Sequence, residues 1–253
     1  MFLIINKELW MKQGVLVCMC LLLVFMFCVP VFAQPSTKSV ETILIDDFDT
    51  PDEKEYQWNV QASRFIAEGF PKKGYFAGIP NSLRPLRTSD DPEALVLGIQ
   101  TSYNRKGDNW FEIYPTTTDD SGEMKNYEIP LQGLVSQIDF WAWGANYAYV
   151  LEILLRDADG RVHTLRVGNL NYSGWKNLVI NIPTYIRQQS RLRSGPKNLS
   201  FVGFKVRTDP NEYVDDFTVY LDQLKYTTHT LDNIYDGYDL RAVDFDAASE
   251  GGQ

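Results

Sequence analysis

The sequence predicts an all-β protein, a jelly-roll or galactose-binding-like β-sandwich with one short helix. Three observations carry the prediction. Short runs of alternating, β-branched and aromatic residues recur along the chain. Turn-forming residues separate them, as in Asn104-Arg105-Lys106-Gly107-Asp108-Asn109 and Asp157-Ala158-Asp159-Gly160. Strand-like runs do not alternate with long amphipathic helices, so neither a βαβ rhythm nor a parallel sheet is expected.

At the N-terminus, Lys12, the apolar run 15–29 and the small-residue site Val31-Phe32-Ala33 read as an export signal cut after Ala33, which makes residues 1–33 a leader. A retained membrane anchor is the alternative, although residues 15–32 barely span a bilayer and Pro30 interrupts their end. Cys18, Cys20 and Cys28 all lie in this segment, and Cys28 follows Phe27 rather than the small residue a lipidation site prefers. The exported chain is therefore expected to hold together without disulfides, by its core alone.

Strands are expected at 42–48, 58–66, 94–103, 110–115, 133–143, 150–156, 161–167, 175–182, 199–207 and 217–226. The pair Asp159-Gly160 suits a tight turn with positive φ, so 150–156 and 161–167 read as a hairpin. The one short helix is expected over 184–193, with Pro183 at its start and Gly195-Pro196 after its end. A single sandwich domain over 34–230 follows, with 231–253 as an acidic tail that has lost the strand rhythm.

The formal net charge is −9, and its distribution is uneven. Residues 160–208 contain Arg161, Arg166, Lys176, Arg187, Arg191, Arg193, Lys197, Lys205 and Arg207 and no acid, whereas 209–253 are acidic with Lys225 and Arg241 as their bases. One reading is a solvated surface whose sequence blocks are not spatial patches. The other is a two-signed molecule whose basic face meets an acidic face on a neighbour. An exported acidic chain is not expected to bind nucleic acid, nor a membrane once its leader is removed.

Catalytic constellations are missing. Glycoside hydrolysis needs two facing carboxylates, but the strand Gln137-Ile138-Asp139-Phe140-Trp141-Ala142 places a glutamine where the β-glucanase pattern has its first acid, and no glutamate follows. His163 and His229 are far apart in the sequence, without a local triad signature or a zinc-ligand set. The chain is expected not to be an enzyme. Binding is better served: Trp141 and Trp143 share one face of a strand, and Tyr147 and Tyr149 follow closely. If that face is internal the tryptophans are core; if external they form a platform for a sugar ring or a protein neighbour. Trp58, Trp110 and Trp175, each at a strand start, are expected in the core. No cofactor is expected, except that in Asp46-Asp47-Phe48 on the first strand and Leu221-Asp222-Gln223 on the last, Asp47 and Asp222 could hold a structural Ca2+ through oxygen ligands.

Several short motifs, taken in order, resemble one family. They are Asn104-Arg105-Lys106-Gly107-Asp108-Asn109-Trp110, Trp141-Ala142-Trp143-Gly144, Gly160-Arg161-Val162-His163-Thr164-Leu165, Val167-Gly168-Asn169-Leu170-Asn171, Gly174-Trp175-Lys176-Asn177, Ile182-Pro183-Thr184-Tyr185-Ile186-Arg187-Gln188 and Ile234-Tyr235-Asp236-Gly237-Tyr238. Together they resemble the flagellar filament outer-layer (sheath) proteins of spirochaetes, over roughly residues 42–238. The resemblance implies a structural protein of the periplasmic flagellum, coating a core of flagellin subunits beside other sheath proteins and supporting motility. Under that reading Arg187, Arg191, Arg193, Trp143 and Tyr147 are the expected assembly contacts. A periplasmic carbohydrate-binding module, stacking its aromatics on glycan, is the alternative.

Overall fold

A computed structural model describes residues 38–119, 121–189 and 198–231. The expected leader, the tail beyond 231 and both Arg191 and Arg193 lie outside the described residues. The strands are β1 (Lys38–Asp46), β2 (Gln57–Ala62), β3 (Lys72–Ala77), β4 (Leu95–Thr101), β5 (Trp110–Thr118), β6 (Met124–Asn126), β7 (Ile129–Pro130), β8 (Leu134–Ala145), β9 (Val150–Arg156), β10 (Val162–Asn169), β11 (Ser173–Asn181), β12 (Ser200–Arg207) and β13 (Phe217–Leu231). They form two antiparallel sheets. The first runs β11-β8-β13-β4-β3, with β1 also on β13; the second runs β10-β9-β12-β5-β2, with β6 on β5 and β7 on β12.

The alternation that predicted strands also sorts their two faces. Along β8, Ile138, Phe140 and Ala142 are fully buried, whereas Trp141 and Trp143, alternating with them, are half-buried and point outward. Inward residues of both sheets meet in one core. Phe140, Leu97, Val219 and Leu221 come from the first sheet, and Trp58, Phe111, Ile153, Phe201 and Phe204 from the second. The Trp58 ring lies 5.8 Å from Phe204 and 6.3 Å from Phe201, and Phe140 meets Phe204 at 4.9 Å. Burial of this apolar surface, at about 25 cal/mol per Å2, is the main force holding the layers together.

Strand β13 organises the first sheet. One side pairs with β8 along most of its length; the other pairs with β4 over 217–221 and with β1 over 224–231. The change of partner is made at a register shift where Gln223 adopts φ 50°. This explains why β13 runs to Leu231, beyond the expected 226: β1 supplies a second partner. The β9–β10 hairpin forms as expected, with Gly160 at φ 89°.

Three expectations are corrected. Residues 184–189 form a turn and a short bridge rather than a helix, with the Ile186 amide donating to the Pro183 carbonyl at 3.1 Å. Two single 3-10 turns, Pro51–Glu53 and Arg84–Leu86, are the helical pieces among the described residues. Trp110 and Trp175 are half-buried, not core. Strand β3 was not expected, because Lys72-Lys73-Gly74-Tyr75-Phe76-Ala77 is an edge strand with no fully buried residue, and so lacks the alternation that marks a half-buried strand.

Candidate binding face

The outer faces of the two sheets differ in kind. Across the second sheet, Gln61, Glu112, Lys205, Glu152 and Arg166 fall in one register row. Their charges are largely satisfied: Lys205 pairs with Glu112 at 2.7 Å, Arg207 with Glu152 at 3.2 Å, and Gln61 donates to Glu112 at 2.8 Å. Such a row meets its charges within the sheet.

The corresponding row of the first sheet is aromatic. Trp175 of β11 pairs with Trp143 of β8, which pairs with Tyr220 of β13; Tyr220 pairs with Gly98 of β4, and Gly98 with Gly74 of β3. The two glycines are overlaid by Phe76 from the adjacent row. A Cβ built on Gly98 would lie 2.7 Å from the Phe76 ring and 2.8 Å from the Tyr220 ring. Phe76 meets Tyr220 edge-on at 5.9 Å, and Tyr220 meets Trp143 edge-on at 5.5 Å. The row crosses five strands, or about 19 Å at about 4.8 Å per strand. Phe76 remains 51% exposed.

The next row contains Asn177, Trp141 and Asp222. Here Asn177 Oδ1 and Trp141 Nε1 are buried without a hydrogen-bond partner. Asp222 is 3% exposed. Burial pushes its carboxyl up to about 7; the Gln223 amide opposes the shift, and the charges of Asp49 and Asp47 add to it. Further along the same face, Lys225 pairs with Asp139 at 3.3 Å between the exposed side chains of Leu44 and Val179. Asp139, the acid on the strand compared with the β-glucanase pattern, is thus held by a lysine.

Among the described residues, the expected assembly contacts Trp143, Tyr147 and Arg187 lie at separate places. Trp143 sits within the aromatic row. Tyr147 lies just past β8, but its ring packs on Tyr149 and Phe217 and its hydroxyl donates to the Asp215 carbonyl at 2.8 Å. Arg187 follows β11 near the other end of β8, close to the Gln188 side chain that bonds Val135; it is exposed and lies 3.3 Å from Asp159. Asp47 accepts from the Asp49 amide at 3.3 Å and has the Lys54 ammonium at 4.0 Å. Asp49 is held by Arg87 at 2.5 Å and by the Leu95 amide at 2.8 Å. Among the described residues no three His, Cys, Asp or Glu side chains group as a metal site. Asp47 and Asp222 would supply a minority of the about six to eight oxygens that calcium takes. His163 Nε2 donates to Asp157 Oδ2 at 2.7 Å, and Asp157 Oδ1 also receives the Asp159 and Arg161 amides. That histidine closes the hairpin turn.

Sequence reasoning missed Phe76 and Tyr220. Phe76 lies on the unexpected strand β3, and Tyr220 alternates unremarkably within β13. The available signal was the pair of strand glycines, Gly74 and Gly98, since a glycine inside a strand often marks a close approach.

The chain is 25% identical to a flagellar filament outer layer-like protein of Brachyspira hyodysenteriae over 199 residues, 76% of this chain and 81% of that one. It is 31% identical over 115 residues to the flagellar filament outer layer protein of Treponema pallidum, a stretch covering 42% of this chain and 31% of that protein. With the protein of the same name from Spirochaeta aurantia it shares 28% identity over 143 residues, 53% of this chain and 39% of that one. The chain thus spans less than half the length of these last two relatives. Among solved structures, the family 11 carbohydrate-binding module of a Clostridium thermocellum cellulosomal cellulase aligns at 11% identity, covering 78% of this chain and 99% of the module with a TM-score of 0.42. A family 61 module in complex with β-1,4-galactotriose aligns at 13% identity, covering 73% and 94% with a TM-score of 0.38. These likenesses concern the fold alone. The family model of the flagellar filament outer layer protein FlaA matches residues 38–235, a span that takes in every described strand, and the chain belongs to that family.

Proposed function

We propose that this protein is a component of the outer layer, or sheath, of the periplasmic flagellar filament, laid over a flagellin core beside other sheath proteins. The observation that carries the reading is the family match across the whole sandwich. Its role is mechanical: it stiffens the filament and biases its curvature, and so supports motility without turnover of a substrate. A leader cut after Ala33 delivers it to the periplasm.

Two features support an adhesive role. The first sheet presents aromatic side chains outward. Arg187 begins a basic stretch that continues in Arg191 and Arg193. The Arg187–Asp159 contact is exposed and worth little, roughly 0–1 kcal/mol, so the guanidinium is available to a neighbour. Each contact of a coat can be weak, because many repeated contacts act together through effective concentration.

Electron microscopy of filaments from wild-type and deletion cells tests the reading. The deletion should yield thinner filaments with altered helical geometry. Complementation with a chain carrying Arg191→Glu and Arg193→Glu should leave the protein folded but poorly incorporated. Deletion filaments of unchanged diameter and shape would remove the sheath assignment; normal coating by the double variant would remove its electrostatic part.

A further inference from the structure

We infer that the groove on the first sheet with Phe76 and Tyr220 along one side and Lys72, Gln100 and Thr218 along the other binds a saccharide chain. The groove has a volume of about 270 Å3 and is lined by Lys72, Gly98, Gln100 and Thr218 together with the two rings.

Its geometry follows from register. Two parallel rows cross strands β3, β4 and β13 on the same outer face. One is the aromatic row, with Gly74, Gly98 and Tyr220 in register and Phe76 laid over the glycines. The other is polar: Lys72 pairs with Gln100, and Gln100 with Thr218. Residues two apart along a strand are about 7 Å apart, so the rows flank a channel one ring wide. On one side a ligand meets aromatic surface; on the other it meets an ammonium, a carboxamide and a hydroxyl.

That asymmetry matches a pyranose, which has an apolar C–H face and a rim of hydroxyl groups. It fits an apolar protein surface less well, because Gln100 and Thr218 would be buried there with unmet hydrogen bonds. The side chains of Lys72, Gln100 and Thr218 make no hydrogen bond or ion pair among the described residues; the Lys72 ammonium lies over the Phe70 ring at 4.6 Å. They are donors and acceptors without a job in the fold. The glycines supply the remaining condition: without side chains at 74 and 98, Phe76 can settle against the sheet and keep an exposed surface. Tyr220 and Trp143 continue the row at 5.9 and 5.5 Å, so linked rings can engage more than one aromatic. Lys72 adds a preference for a carboxylate-bearing sugar over a neutral one.

This inference does not depend on the coat role, because it concerns the purified chain in solution. Isothermal titration with cellotriose and with trigalacturonate, and sedimentation of the chain alone, test it. The expected result is saturable binding of at least one trisaccharide, weakened tenfold or more by Phe76→Ala. Lys72→Gln should weaken trigalacturonate more than cellotriose. Val162→Ser, an exposed change on the other sheet, should change neither. Phe76 is half exposed, so its truncation is not expected to unfold the sandwich, and circular dichroism checks this. Absence of binding by both sugars at millimolar concentration overturns the proposal. So does binding that Phe76→Ala leaves intact, or self-association of the chain that this variant abolishes while no sugar binds.

Discussion

One residue built into the edge of the core is an acid. Asp46 is 2% exposed and lies at the end of β1. Its Oδ1 accepts the Phe48 amide at 2.8 Å; its Oδ2 accepts the Trp58 indole N–H at 2.8 Å and the Tyr56 hydroxyl at 3.2 Å. Trp58 is a core ring whose N–H must find an acceptor, and Asp46 provides it. Burial, reinforced by Asp46, pushes the Tyr56 phenol well above its ordinary value. Asp46→Ala should therefore leave three donors unmet and cost on the order of 3 kcal/mol or more. Asp46→Asn, which keeps one acceptor oxygen, should cost less. Urea denaturation reads both, and an alanine variant within about 1 kcal/mol of wild type would contradict this account. The sequence made part of it legible. Trp58 reads as core from its place at a strand start, and Asp46-Asp47-Phe48 reads as a place where acids matter. Which acid turns inward is a matter of the register shift between Leu44 and Asp46, which no local pattern encodes.

At the scale of elements, strand existence was legible and strand partnership was not. The buried strands β8, β9, β12 and β13 announce themselves by their runs of apolar, β-branched and aromatic residues, but the aromatic row depends on β3, β4, β8, β11 and β13 meeting in one register. Trp141 and Trp143 were readable as a pair, and only the fold decides that they face outward. The segment after β11 is the clearest departure from the expected pattern. Good helix formers there do not make a helix over 184–189, because Gln188 is used otherwise. Pairing of β11 with β8 ends at Asn181–Gln137, followed by the Ile182 amide on the Ser136 carbonyl at 2.9 Å. Beyond that point the Gln188 carboxamide takes the place of a strand: its Oε1 accepts the Val135 amide at 2.7 Å and its Nε2 donates to the Val135 carbonyl at 2.8 Å. Tertiary demand overrides the weak helical propensity. Gln188→Ala should expose the start of β8. Hydrogen exchange at the Val135 amide should rise tenfold or more, corresponding to the loss of about 1.4 kcal/mol of local protection, with little change at Phe140 in the strand centre. Equal protection at Val135 in the variant would show that the carboxamide is dispensable.

At the scale of the whole molecule, the ion pairs that the basic block makes among the described residues are not with the acidic block. Arg187, Lys205 and Arg207 find Asp159, Glu112 and Glu152, acids that all precede residue 209. What the fold produces instead is an asymmetry between its two outer faces, one charge-paired and one aromatic. Carboxyl titration then sets how stability varies with pH. Hydrogen bonds from Lys125 and Ser121 pull Asp119 down to about 2. At Asp157 burial acts upward, but the bonds from His163, Arg161 and Asp159 outweigh it and hold the carboxyl below its ordinary value. The amides of Ala148 and Tyr213 do the same for Glu212. Each of these groups is less basic folded than unfolded, so its stabilisation is present above about pH 4 to 5 and is lost as pH falls through the folded value. Asp222 works in the opposite direction. Its folded carboxyl titrates near 7, so the folded state holds a proton that the unfolded state has released, and stability falls as pH rises from about 4 to about 7. The melting temperature should therefore peak in mildly acidic solution, near about pH 5, and decline on both sides. Asp222→Asn removes the charge that must be buried at high pH while keeping the shape. It should raise the melting temperature at pH 8, change it little at pH 4, and flatten the alkaline limb of the profile. Thermal unfolding of the two proteins across this range decides the matter: a variant stabilised equally at pH 4 and pH 8 would mean that Asp222 acts through packing and not through its proton.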